Sequence, residues 1–120
     1  MKPGKELDAL IAEKIFDLDV LAGKVVTPHE FLEGTHYSLE PEAYSTNITA
    51  AWKIVERLNE QFLMVSVDSY LGGADIAILD KKAEGHYQLT VSAKGDDACH
   101  AICLVALKLE QKINSEDETH

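Results

Sequence analysis

Residues 43–58, "AYSTNITAAWKIVERL", decide the reading of this chain, because a capping run passes there into an amphipathic helix. Ser45, Thr46 and Asn47 each carry a side-chain oxygen that accepts a backbone N–H at a helix start. Ile48, Ala51, Trp52, Val55 and Leu58 then step along one face, and Thr49, Lys53, Glu56, Arg57 and Glu60 along the other. This spacing predicts a helix with the single tryptophan in the core.

Working towards the N-terminus, residues 18–44 carry Gly23, Pro28, Gly34 and Pro41 and no sustained period; "KVVTP" offers one short strand. A connection this long inside a small domain is unusual, and such loops often carry function. Before it, Pro3 and Gly4 mark the entry to a helix over about residues 5–17, with Leu7, Leu10, Ile11 and Ile15 at helical spacing.

Working towards the C-terminus, "FLMVSVDS" (62–69), "ADIAILDK" (74–81) and "HYQLTVSA" (86–93) read as strands. The short glycine-bearing links between them predict antiparallel hairpins. Apolar residues on both faces of the first strand predict cover on both faces of the sheet. A last helix follows in "GDDACHAICLVALKLEQKI", capped by Asp96 or Asp97. The order is helix, long loop, helix, three strands, helix. The fold class expected is α+β: a small alpha/beta/alpha sandwich with a three-stranded antiparallel meander and helices on both faces. One domain spans 1–113, and 114–120 is a frayed acidic tail.

With 120 residues and 46% hydrophobic content, the chain can build one core without staples. Its 21 acidic and 11 basic residues leave a net charge of −10. That balance argues against direct binding of nucleic acid, which relies on Lys and Arg neutralising phosphates, and favours basic protein surfaces. Cys99 and Cys103, four apart on a helix, are poorly placed for a disulfide, so reduced thiols and the cytoplasm are expected. No apolar run is long enough to span a membrane.

Three stretches, "ELDALIAEKI", "YSTNITAAWKIVERL" and "GDDACHAICLVALKL", in that order resemble the small prophage proteins grouped as the phage alpha-beta-alpha (ABA) sandwich domain. The resemblance implies a phage or prophage origin and the sandwich fold, with no particular activity. The chain departs from the family pattern in its longer, acidic loop from Ala22 to Glu42. It also carries Cys99-His100 where a proline-rich cap is usual.

Chemistry-bearing residues are scattered. "CHAIC" lacks a second ligand cluster, so no metal and no cofactor are expected. Ser45, Thr46 and Cys99 are candidate nucleophiles and His29 and His36 candidate bases, but no spacing pairs them. The expectation is a non-enzyme. Glu30, Phe31, Glu33, Tyr37, Glu40, Glu42 and Tyr44 interleave aromatic anchors with carboxylates, a combination suited to a basic partner. The reading is a phage accessory protein of the host cytoplasm that binds a host protein and occludes its nucleic-acid-binding surface, as a counter-defence or host-modulating inhibitor. Homo-oligomerisation stays open. Two alternatives remain: a sponge for a nucleotide signal, using Arg57 and Lys53, or a structural phage component.

Overall fold

The computed structural model describes residues 1–26, 38–60, 63–70, 73–83 and 86–118. Helix α1 spans Lys5–Lys14, followed by three short strands, β1 (Asp19–Leu21), β2 (Lys24–Val26) and β3 (Ser38–Leu39). Helix α2 spans Ile48–Glu60, then come β4 (Leu63–Tyr70), β5 (Gly73–Ala83), β6 (His86–Gly95) and α3 (Ala98–Glu118). Three helices and a three-stranded antiparallel meander make one α+β domain in the expected order, consistent with an ABA sandwich.

The helix starts follow the capping chemistry. Asn47 Oδ1 accepts the backbone N–H groups of Thr49 (2.9 Å) and Ala50 (3.2 Å) at the head of α2. Asp97 Oδ1 accepts the His100 N–H (2.9 Å) at the head of α3. Ser45, a capping candidate, is used elsewhere.

The 18–44 segment holds more order than its lack of period suggested, since β1, β2 and β3 pair into a small sheet of their own. Leu21 opposes Lys24 across Ala22 and Gly23, both at positive φ (54° and 78°). Two consecutive left-handed residues are what a type I′ hairpin requires, and alanine there carries a small strain. At the other end, α3 continues to Glu118, through most of the stretch read as a frayed tail.

The main core lies between the sheet and the helices. Ala74, Ile76 and Ile78 of β5 and Ala93 of β6 are buried, with Leu63, Val65 and Val91 packed against them. α2 lies over β4, and α3 crosses β5 and β6. The buried faces are Ala51, Ile54, Val55 and Leu58 on α2 and Ala101, Ile102, Cys103, Val105 and Ala106 on α3. α1 packs on α3 and on the small sheet, inserting Leu7, Ile11 and Ala12. Among the described residues, the helices that touch the main sheet meet one face of it. Met64, Tyr70 and Leu89 stay exposed on the other, and Phe62 lies outside the described residues. That second face is diluted by Ser66, Asp68, Asp75 and Lys94, so it offers too little apolar area to force cover.

Trp52 is not a core residue. It is 49% exposed, and Ile48, one turn before it, is 52% exposed. Ala51, Ile54, Val55 and Leu58 already form a complete stripe toward β4 and α3. Trp52 falls beyond its margin, so the buried arc is rotated from the one expected.

Candidate functional site

The approach to α2 is held by a buried polar knot. Asp8, in the first turn of α1, accepts through Oδ1 both the Ser45 N–H (2.8 Å) and the Ser45 hydroxyl (2.7 Å). Ser45 Oγ in turn accepts the Gly4 N–H (2.9 Å). Ser45 is fully buried, and Asp8 is buried at 6% exposure. These bonds tie the α2 entrance to the start of α1, 37 residues earlier in the chain.

Tyr44 is set by its neighbours in the same way. Its ring stacks on Phe16 at 5.1 Å and 14°, and the residue is 3% exposed. Burial pushes its phenol up to about 12, helped by the charge of Glu42 and a hydrogen bond to it. Tyr44 is therefore part of the core and not of a contact surface. A flat aromatic next to Phe16 gains more from stacking and burial than from facing water.

Among the other residues expected in the contact surface, Glu40 and Glu42 are exposed, each beside a lysine. Glu40 lies 3.8 Å from Lys24, and Glu42 pairs with Lys53 at 2.5 Å. Glu30, Phe31, Glu33 and Tyr37 lie outside the described residues. What sequence reasoning missed is the surface next to Glu42: Ile48, Thr49, Trp52, Lys53 and Glu56 line one shallow depression on α2. The missed signal was Ile54, which completes the inward stripe at i, i+3, i+4 and i+7 from Ala51 and leaves Trp52 and Ile48 as surplus apolar surface.

Among the described residues the candidate chemistry elsewhere is already engaged, and His29 and His36 lie outside them. Asp96 N–H donates to His100 Nδ1 (3.0 Å), which places the ring proton on Nε2, 2.7 Å from the Met1 carbonyl oxygen that accepts it. Both ring nitrogens of the "CHAIC" histidine are thus occupied. Cys99 and Cys103 are free and buried. Burial, with the charge of Asp8 adding to it, pushes the Cys103 thiol up to about 12, and burial with Asp97 raises Cys99. Neither is a thiolate at neutral pH, so neither is an activated nucleophile. Among the described residues no group of three or more His, Cys, Asp or Glu is placed to hold a metal.

The two cations of the sponge alternative are divided between different partners. Lys53 goes to Glu42, and Arg57 Nη2 lies 3.3 Å from Asp17 Oδ2. Arg57 Nε is buried without a hydrogen-bond partner, beside a groove of Lys14, Leu58, Leu109 and Ile113.

A model of the phage ABA sandwich domain matches residues 9–107. The chain belongs to that family. It is therefore a small phage-type protein, and the match takes in the second half of α1, Ser45 of the polar knot, the Trp52 ridge and the first half of α3. No curated protein and no solved structure matches the chain. Among the described residues of this ABA sandwich protein, no helix is long and apolar enough to cross a membrane.

The raised phenol and thiol make alkaline stability a direct check of this packing. The ordinary values are 10.0 for tyrosine and 9.0 for cysteine, against about 12 for Tyr44 and Cys103 in the fold. Both groups hold their protons more tightly in the native state than in the unfolded chain. Their contribution is complete below pH 9 and is lost as the pH climbs through the window to about 12, because there the unfolded chain sheds protons that the native one keeps. The melting temperature is expected to fall steadily across that window. A Cys103→Ala variant should fall less steeply across that window, since the Cys103 thiol no longer contributes while Tyr44 and Cys99 still do.

Proposed function

We propose that this ABA sandwich protein acts in the host cytoplasm without catalysis, by binding a host protein with a basic surface and occluding the nucleic-acid-binding site there. The observation that carries the reading is the Ile48–Trp52 ridge, two large apolar side chains half exposed on one helix, with Glu56 beside it and Glu42 paired to the neighbouring Lys53. Tryptophan is the residue type that anchors interfaces most often, and acidic neighbours speed encounter with a basic patch. The net charge of −10 acts in the same sense over longer range. Supporting the non-catalytic reading, the Ser45 hydroxyl is sealed into the knot with Asp8 and Gly4, and the thiols stay protonated.

The test is capture of proteins from host lysate on the immobilised chain, followed by mass spectrometry. Trp52→Ala should remove the captured protein while changing stability by about 0.5 kcal/mol or less, the range of a surface substitution. Reversing Glu40 and Glu42 to lysine should weaken capture at low salt more than at high salt. Capture that survives Trp52→Ala would remove the basis of the proposal.

The unpartnered Arg57 Nε favours one second reading, the small-ligand sponge. Asp17 already occupies the outer face of that guanidinium, so an anionic ligand would have to displace a carboxylate. Small molecules released from freshly purified protein on denaturation, and lost in Arg57→Ala, would move the assignment to that groove.

A further inference from the structure

The two outer edges of the main sheet are treated differently. β5 is central, so β4 and β6 each carry one unpaired edge of backbone N–H and C=O groups. On β6 that edge is guarded: Lys108 Nζ donates to the Ser92 carbonyl (3.0 Å) and Lys112 Nζ to the Thr90 carbonyl (3.1 Å), both from α3. β6 is also irregular, with register shifts against β5 at Ile78/Leu79 and Lys81/Ala83. Lysines and bulges are the usual means of keeping a sheet edge from pairing with another chain.

β4 has neither. Its register with β5 runs unbroken from Leu63 opposite Asp80 to Tyr70 opposite Gly73. The strand "LMVSVDSY" holds no proline or lysine and one charged residue, Asp68. Among the described residues, no side chain is bonded to its backbone edge. Met64, Val67 and Tyr70 are 41%, 40% and 50% exposed, and the Tyr70 hydroxyl donates to Asp75 (3.3 Å), which holds its ring over the sheet.

We propose that the β4 edge pairs with β4 of a second copy of this chain, antiparallel about a two-fold axis, joining the two meanders into one six-stranded sheet. The axis must preserve the face of each side chain, because a slip of one residue would put Leu63 and Val65 on the polar side. It passes therefore through a residue, and centring on Asp68 would set two carboxylates opposite one another. Centring on Val67 places Val67 against its own image, Ser66 against Asp68 as donor and acceptor, and Met64 against Tyr70. Those three pairings commit the register. The Trp52 ridge on α2 is not used, so the inference stands apart from the proposed host contact.

Sedimentation of the full-length wild-type chain should show concentration-dependent dimer in the micromolar range. Val67→Lys, which sets two ammonium groups on the axis, should give a monomer with an unchanged circular dichroism spectrum. A cysteine at position 67 should oxidise to a covalent dimer, because directly opposed Cβ atoms lie about 4.5–5.5 Å apart. The native Cys99 and Cys103 are buried and do not compete. Ser66→Cys should not cross-link, its image being displaced by two residues. A wild-type chain that stays monomeric throughout, a folded Val67→Lys dimer, or cross-linking of Ser66→Cys in preference to Val67→Cys would overturn the proposal.

Discussion

Gly95→Ala is expected to lower the stability of this protein by about 3 kcal/mol, near the upper end of what overpacking usually costs, and its melting temperature by roughly 10 °C. A Cβ on Gly95 would lie 2.5 Å from the Ala101 nitrogen and 2.8 Å from its Cα. Both are backbone atoms in the first turns of α3, so no side-chain rotation can relieve the contact. α3 would have to lift from the end of β6. That movement would disturb Ala101, Ile102 and Cys103, which are fully buried. The destabilisation does not come from conformational freedom lost at a left-handed glycine, because Gly95 is not at positive φ. Thermal denaturation of the variant beside wild type measures it directly. A change below about 0.5 kcal/mol, typical of surface positions, would show that α3 has room to shift.

The second large effect is expected at the polar knot. Asp8→Ala would leave the Ser45 N–H without an acceptor and the Ser45 hydroxyl with only the Gly4 carbonyl at 3.4 Å, in a site closed to water. Each orphaned buried group costs about 1–3 kcal/mol, so a loss of about 3 kcal/mol is expected. Ser45→Ala should cost somewhat less, since Asp8 keeps one N–H and the Gly4 N–H is only half buried. The two losses should not add in the double variant, because both remove the same pair. Asp8→Asn keeps an acceptor oxygen and should recover most of the stability. Urea denaturation of the wild type and these four variants decides the matter. Additive losses would mean that Asp8 and Ser45 act separately.

Several parts of this architecture were legible because local chemistry carried them. Asn47 and Asp97 cap their helices as their side-chain oxygens predict. The three strands of the meander lie within one or two residues of their alternating runs, because period-2 burial and glycine turns act over a few residues. The family resemblance rested on the three helical stretches, and the family model matches residues 9–107.

The candidate site was legible only in part. Charge could be counted, so the acidic character was available from composition. Which aromatic faces water could not be: helical spacing put Trp52 in the core and the acidic loop put Tyr44 on the surface, and the fold reverses both. Phe16, far away in the chain, draws Tyr44 inward by stacking. α3 and β4 together meet α2 on the Ala51–Ile54–Leu58 side and leave Trp52 out. In the same way Ser45 looked like a cap until Asp8 claimed it.

By itself, then, the sequence determined the three helices and the meander strands, their order, the caps at Asn47 and Asp97 and the charge, since each depends on neighbours a few positions away. The tertiary structure alone decided which arc of α2 is buried, which tyrosine is stacked, and which sheet edge α3 guards with Lys108 and Lys112. Those choices depend on which surface arrives from elsewhere in the chain. A helix with more apolar residues than one partner can cover is rotated by the partner it meets, and what remains outside is left to face water or another protein.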